Sequence, residues 1–237
     1  MTSDKTIAPS SVMGDAYATS PLGGQGPVRA PKQARSRQTL ETILNETRQL
    51  LEVRNFDDIP IADIVAAAST TVGSFYARFP DKASLLIALQ AQAHDEVATR
   101  LEVVLSPDRW ATVSLRETIS GMIPLLMEIP DRHLAVFKAA MLSSVASKAL
   151  ARNVTEIIGK KIDLMATLLL SKRSEIRHPN PDRAVRSGAA IVESVLQHRR
   201  VRLFVDTVDY PLGEETLCPD LCEMLLALLA SETSRTT

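Results

Sequence analysis

The spacing of apolar residues predicts helices along almost the whole chain. Between Leu40 and Leu51 they recur every three or four positions, which predicts an amphipathic helix over about 35–54 that Asn55 can end in a left-handed conformation. The same period predicts further helices at about 61–68, 72–79, 82–104, 112–127, 131–150, 153–172, 182–205 and 216–231. Prolines interrupt the pattern, for example Pro130. Val201 to Val208 is the best candidate for a strand, but it continues a helical pattern, so we expect an all-α fold.

The first 32 residues lack this periodicity. Prolines and glycines are frequent there and large apolar residues are few, so the segment 1–32 is predicted to be a disordered tail. Residues 29–38, where the tail meets the first helix, carry four positive charges and no negative one. Such a run is either a solvated basic stretch or an arm that contacts phosphate or a minor groove.

Composition narrows the class of protein. With 27 basic and 28 acidic residues the net charge is −1, which makes massive non-specific binding to polyanions improbable and leaves room for a local basic patch. The two cysteines give no disulfide framework, and no signal peptide is visible. The longest charge-free gap, between Asp63 and Arg78, holds 14 residues, whereas a membrane helix needs about 20. We therefore expect a cytoplasmic protein with no membrane partner.

The segment 60–79 carries the most specific pattern. Ser69, Thr70 and Thr71 separate two short helices, and one apolar face is predicted at positions 64, 65, 68, 72, 75 and 79. The opposite face of the second short helix is small and polar, with Gly73, Ser74, Ala77 and Arg78. Such a face fits a major groove, and hydroxyls near its start suit phosphate. A three-helix bundle with polar turns and no nucleic acid also explains this pattern.

The order of residues in this region resembles the DNA-binding domain of the TetR family of bacterial transcriptional regulators. The resemblance covers residues 35–86 and rests on Ile64-Val65-Ala66-Ala67-Ala68, Thr71-Val72-Gly73-Ser74-Phe75-Tyr76, Arg78-Phe79, Asp81-Lys82 and Leu85-Leu86. It implies a DNA-binding domain at 33–80, with the helix-turn-helix at about 60–79 and the recognition helix at 72–79. Positions that match DNA contacts of the family are Arg35, Arg37, Thr70, Thr71, Gly73, Ser74, Tyr76, Arg78 and Lys82. One departure is Pro60-Ile61, where the family usually has a Thr or Ser that caps the helix and contacts phosphate.

The resemblance also implies a helical effector-binding and dimerisation domain at 81–237, giving about nine helices in all. The two last helices are apolar enough to form a homodimer interface, with candidates Ala184, Gly188, Ile191, Val192, Val195, Leu221, Leu225 and Leu228. Candidates for a mostly apolar pocket that binds an unknown small effector are Trp110, Met122, Met127, His133, Phe137, Met141 and Met165. The expected function is a ligand-responsive regulator, by family default a repressor, that binds a palindromic operator in double-stranded DNA as a dimer.

Two other functions stay open at this point. A helical domain of this kind can dock a protein rather than DNA, and Cys218 with Cys222, spaced i, i+4, can serve as a thiol-based redox sensor. The charge run His198-Arg199-Arg200 with Arg202 is interpreted as a solvated face of the dimer helix. No catalytic motif, phosphate-binding loop or metal-ligand spacing is present, so we expect no enzyme, no metal and no cofactor.

Overall fold

The computed structural model describes residues 32–143, 148–204 and 213–232, and all the regular secondary structure in these ranges is helical. The nine helices there are α1 Lys32–Leu51, α2 Ile61–Ala67, α3 Val72–Tyr76, α4 Lys82–Val104, α5 Leu115–Asp131, α6 Leu134–Leu142, α7 Lys148–Leu170, α8 Pro181–Phe204 and α9 Glu214–Ala230. No strand occurs in the described ranges, so the all-α prediction is confirmed. The predicted tail, apart from residue 32, lies outside the described residues.

Most helices begin and end close to their predicted bounds, and the exceptions have local causes. Asn55 is extended, with φ −71° and ψ 147°, so the prediction that it closes α1 in a left-handed conformation is wrong. Pro130 does not interrupt the chain as predicted, because α5 continues through it to Asp131. α6 is shorter than predicted, since Ser143 is already extended, with φ −67° and ψ 139°.

α4 joins the two hydrophobic cores of the chain. Its side chains from Leu85 to Ala93 pack with α1, α2 and α3 in the first core, and those from Val97 to Leu101 pack with α5, α7, α8 and α9 in the second. Asp81 caps the helix, because its carboxylate accepts the Ser84 backbone N–H at 2.7 Å. One continuous helix of 23 residues therefore runs from the first core into the second.

α6 belongs to both parts of the molecule. Val136, Ala139 and Ala140 are buried in the first core, beside residues of α1 and α4. The hydroxyl of Ser143, just after α6, donates to the Asp57 carboxylate at 2.8 Å, in the 3₁₀ turn that follows α1. The predicted domain boundary at residue 80 stays a prediction, and this packing extends across it.

α8 and α9 pack against each other over a glycine. A Cβ built on Gly188 would overlap the side chain of Leu225, which is fully buried, so the absence of a side chain permits this close approach. No helix in the described part of the chain has the length and apolar character needed to cross a bilayer.

A glycine in α5 supports the single tryptophan of the chain. A Cβ on Gly121 would lie 2.5 Å from the Trp110 ring, whose indole N–H donates to the Val104 carbonyl at 2.8 Å. We expect Gly121→Ala to displace the ring, shift tryptophan emission to the red and lower the free energy of unfolding by about 1–2 kcal/mol, because overpacking outweighs the gain in helix propensity.

Urea unfolding followed by fluorescence measures both effects. Gly159→Ala in α7 is the matched control, since nothing lies within 4 Å of the Cβ it adds. The control should leave the emission unchanged and raise stability by up to about 1 kcal/mol. Equal and positive stability changes in the two variants would contradict the proposed contact.

Candidate nucleic-acid interface

α2 and α3 are joined by a tight turn with a left-handed residue. Ser69, with φ 48°, is the one non-glycine residue of the described ranges that has a positive φ. The Thr70 N–H donates to the Val65 carbonyl at 2.9 Å and the Ser69 N–H donates to the Ala66 carbonyl at 3.1 Å. These two bonds close a helix around a left-handed residue, and they fix the direction in which the chain leaves α2.

Two phenylalanines hold α3 against the first core. Phe75 and Phe79 are buried, with their ring centroids 5.4 Å apart, and they pack beside Ile64 of α2. At the start of α3 the Thr71 hydroxyl accepts the Ser74 backbone N–H at 3.1 Å, as an N-cap. The helix is therefore oriented by its inward side and capped by a residue that also faces solvent.

The outward side of α3 is accessible, and of its four predicted residues Gly73 and Ala77 are exposed whereas Ser74 and Arg78 are half-buried. The exposed residues are Thr71, Val72, Gly73, Tyr76 and Ala77, while Thr70 and Ser74 are half-buried. The prediction that Val72 belongs to the buried face is wrong, because 47% of this residue is exposed. With five residues α3 makes little more than one turn, so Phe75 alone of its residues reaches the core.

Arg78 connects α3 to α1. One guanidinium nitrogen donates to the Ser74 carbonyl at 2.7 Å, and another donates to the Ser36 carbonyl and hydroxyl, each at 3.3 Å. Arg35 and Arg37 flank Ser36 and are both exposed. Arg78 thus holds α3 next to the start of α1, where Arg35 and Arg37 provide two exposed cations.

Lys82 is half-buried, and its ammonium group is bonded within the protein. Its ammonium group donates to the Phe56 carbonyl, donates to the Asp57 carbonyl at 3.2 Å and lies 4.5 Å from the centre of the Phe56 ring. Burial lowers the pKa of this amine. The predicted phosphate contact of Lys82 therefore requires it to share or release these carbonyls. At the neighbouring start of α2, Pro60 occupies the N-cap with no side-chain hydrogen bond.

A cavity of about 340 Å³, here called the central cavity, lies between α4, α6, α7 and α8. Of the seven pocket residues predicted from the sequence, Phe137 and Met141 line it. Met122 and Met165 are instead fully buried in the second core, and Met127 packs against that core. Three of the four methionines predicted for the pocket therefore belong to the second core, and one lines the cavity.

The other two predicted pocket residues lie elsewhere. Trp110 packs on Gly121, and His133 lies in a surface groove with its Nε2 atom 3.6 Å from the Glu96 carboxylate. Sequence reasoning missed the polar part of the central cavity, which includes Lys161 and Arg200. Arg200 was assigned to a solvated charge run, and that prediction is wrong, since only 5% of the residue is exposed.

The predicted dimer residues divide into two groups. Five of them are buried within the chain itself: Ala184, Gly188, Val192, Leu221 and Leu225. These five cannot contact a second copy directly, because α8, α9 and the second core already cover them. Ile191, Val195 and Leu228 keep part of their surface accessible, and Ile191 is 45% exposed. A partner can therefore cover only this second group.

The two cysteines lie on α9 in their reduced form. Cys222 is buried and Cys218 is half-buried. Burial, followed by the neighbouring Cys218, raises the pKa of the Cys222 thiol to about 11. Since the thiolate is the reactive form, this environment disfavours redox chemistry at Cys222.

The left-handed turn residue yields a stability prediction. An L-residue in this conformation is strained, so Ser69→Gly should raise the free energy of unfolding by about 0.5–1 kcal/mol. Asn55→Gly is the matched control, because Asn55 is extended and glycine gains nothing there. Urea unfolding of both variants provides the measurement. A stabilised Asn55→Gly with an unchanged Ser69→Gly would place the left-handed residue at the end of α1 after all.

Comparison with known proteins adds to this geometry. Residues 43–89, from the middle of α1 into α4, match the family described as "Bacterial regulatory proteins, tetR family". No curated protein sequence matches the chain. Solved structures do match it, at low sequence identity.

Three of these structures illustrate the similarity. A Mesorhizobium loti protein described as a TetR-family transcriptional regulator has a TM-score of 0.59 at 16% identity, covering 85% of this chain and 98% of that one. GusR of Salmonella enterica has a TM-score of 0.56 at 19% identity, with 81% and 96% covered. NalD of Pseudomonas aeruginosa, the secondary repressor of the MexAB-OprM multidrug efflux pump, has a TM-score of 0.52 at 19% identity, with 84% and 100% covered. Residues 43–89 thus match the tetR family model, and the fold over more than four fifths of the chain is the fold of these solved structures.

Proposed function

We propose that this protein is a ligand-responsive transcriptional repressor that binds a palindromic operator as a homodimer and is released by a small effector. The proposal rests on the outward side of α3. Apart from Tyr76, its exposed residues are small enough to enter a major groove about 12 Å wide, while Phe75 and Phe79 fix the helix from behind. Its operators lie in the bacterial cytoplasm, where we expect it to act.

The residues around α3 take different roles in this proposal. Arg35, Arg37 and the Tyr76 hydroxyl contact phosphates, which position the protein without reading sequence. Val72, Gly73 and Ala77 contact the base edges, and the Val72 methyl groups suit contact with a thymine methyl. Thr70, Thr71 and Ser74 complete the contacts at the start of the helix. Arg78 and Lys82 serve mainly as internal fasteners that hold α3 in place.

A second copy is needed because one short recognition helix reads few base pairs. Dimers place their recognition helices about 34–36 Å apart, one turn of DNA. We assign the interface to the exposed sides of α8 and α9 around Ile191, Val195 and Leu228, where apolar residues face solvent in the single chain. Two helices from each copy then form a four-helix bundle.

The effector acts from the central cavity through α4 and α6. α4 contributes His94 and Val97 to the cavity wall, and α6 contributes Phe137 and Met141. Both helices also contribute to the first core, and Ser143 ties the end of α6 to the turn after α1. A ligand that favours one position of these helices shifts the spacing of the two recognition helices. A coupling of about 1–3 kcal/mol changes operator affinity about 5- to 150-fold.

The salt dependence of binding distinguishes a domain that binds DNA from one that docks a protein. We expect the full-length protein to bind DNA from upstream of its own coding region, with affinity that falls steeply as salt rises, because phosphate contacts release counterions. Arg37→Gln should weaken binding to every sequence and reduce the slope of log K against log salt by about 0.9 per protomer. Fluorescence anisotropy at several salt concentrations measures both quantities.

Arg116→Gln is the control for net charge, since Arg116 is an exposed cation of α5 paired with Glu223. The control should behave like the parent protein. If Arg37→Gln and the parent bind DNA equally well at all salt concentrations, the assignment of this face to DNA is wrong.

The dimer interface yields a separate prediction. Ile191→Asp places a carboxylate in the proposed apolar contact and should raise the dimer dissociation constant at least tenfold, because the charge loses its hydration without a partner. Sedimentation velocity across a dilution series measures the change. Val53→Asp, at an exposed apolar residue beyond α1, is the control and should leave the dimer intact. An unchanged dimer in Ile191→Asp places the interface elsewhere.

A further inference from the structure

The walls of the central cavity are apolar on most sides and cationic in one region. The apolar part is built from residues such as Val97, Phe137, Ile157, Val201 and Phe204. The volume of the whole cavity, about 340 Å³, falls in the range of small-molecule pockets. The polar residues of the wall are Gln90, His94, Lys161, Gln197 and Arg200. A ligand that fills this space meets both kinds of surface.

The cations belong to a buried cluster on α7 and α8. Lys161, Glu193 and Arg200 are 2%, 1% and 5% exposed. The Lys161 ammonium and an Arg200 nitrogen, the latter at 3.1 Å, both donate to Oε1 of Glu193. Lys161 and Arg200 line the cavity, whereas Glu193 does not. The carboxylate therefore lies behind the two cations, which form the surface that a ligand contacts.

Counting the described residues alone, Lys161 and Arg200 carry one positive charge more than the Glu193 carboxylate neutralises. The adjoining pair Arg199–Asp131, at 2.7 Å, is balanced and leaves this excess unchanged. Within the described part of the chain, the second terminal nitrogen of Arg200, Nη1, is buried and has no hydrogen-bond partner. A buried charged donor without a partner is costly, and a bound acceptor would remove that cost.

Protonation of the neighbouring groups is consistent with this excess. Burial lowers the pKa of Lys161 to about 8 while Glu193 raises it, so the amine is mainly protonated at neutral pH. Burial, followed by the positive charges of Lys161 and Arg200, lowers the pKa of His94 to about 4. His94 is therefore neutral and stacks near Phe137, with ring centroids 5.0 Å apart. The histidine adds no charge to the cavity.

We propose that the central cavity binds an amphipathic monoanion, with its acidic head on Arg200 and Lys161 and its apolar body against Phe137, Ile157 and Phe204. This inference rests on the proposed function, in which the cavity is the effector site. A carboxylate supplies the acceptor that Nη1 of Arg200 lacks and neutralises the excess charge. A cationic ligand would add a like charge in a buried site, and a neutral alcohol would leave the excess uncompensated.

Binding of matched probes to the full-length protein tests the charge of the head group. The probes are decanoate with decan-1-ol and decylammonium, and 2-naphthoate with 2-naphthol, titrated by isothermal calorimetry at neutral pH. We expect at least one acid to bind about tenfold or more tightly than its alcohol, and decylammonium to bind most weakly. The proposal is overturned if neither acid binds or if acids and alcohols bind equally.

Substitutions then locate the head group. Arg200→Gln should abolish most of the preference for the acid, and Arg200→Lys, which keeps the charge, should retain part of it. Arg186→Gln, which removes an exposed cation from the same helix, is the matched control and should keep the full preference. If Arg200→Gln fails to fold by circular dichroism, Lys161→Met carries the test, since Arg200 still pairs with Glu193 there. The proposal is overturned if the Arg200→Gln variant, or the Lys161→Met variant that replaces it, folds and keeps the full preference for the acid.

A separate measurement keeps this inference apart from the proposed function. The acid that binds is added to the protein–DNA complex, and operator affinity is measured by anisotropy. Loss of affinity supports both proposals. An acid preference that depends on Arg200 but leaves operator affinity unchanged supports the anion site and overturns its role as the effector site. Equal binding of acids and alcohols overturns the anion site whatever the operator measurement shows.

Discussion

The contact of Phe75 and Phe79 with the first core is the interaction on which the rest of the structure depends. A helix of five residues has no stability of its own, because the cost of nucleating it exceeds what so few hydrogen bonds return. The direction of α3 is therefore set by tertiary contacts. With both rings buried next to Ile64, only one side of the helix can face outward, and that side carries Gly73 and Ala77.

Because α3 depends on tertiary contacts, two cations of this region hold neighbouring elements together. Arg78 connects α3 to Ser36 on α1, and Lys82 connects α4 to the carbonyls of Phe56 and Asp57. In each case a side chain from one element holds the backbone of another, where a small core offers little apolar area. Arg35 and Arg37 at the start of α1 are exposed, so they carry more of the electrostatic role proposed for the domain.

The sequence predicted local features well and long-range ones poorly. The bounds of α4 and the inward side of Phe75 follow from periodicity and capping within a few residues, and the structure agrees with both. The left-handed residue was assigned to Asn55 instead of Ser69, because either residue type can end a helix and the choice depends on how α2 meets α3. The buried position of Arg200 was missed because it depends on the packing of α7 against α8, where Lys161 of α7 and Arg200 share the Glu193 carboxylate. Along α8 alone, Arg200 looks like one member of a solvated run.

α6 connects the central cavity with the first core. One side of this nine-residue helix, with Val136 and Ala139, is part of the first core, and the other, with Phe137 and Met141, forms the cavity wall. Interiors packed at crystal-like density do not absorb such displacements locally. In the function proposed above, a ligand that moves Phe137 also moves the side chains that pack against α1 and α4, and the Ser143 bond to Asp57 links the same displacement to the turn that Lys82 holds. Because Lys82 lies at the start of α4, directly after the segment that contains Phe79, this sequence of contacts ends at the aromatic pair that orients α3.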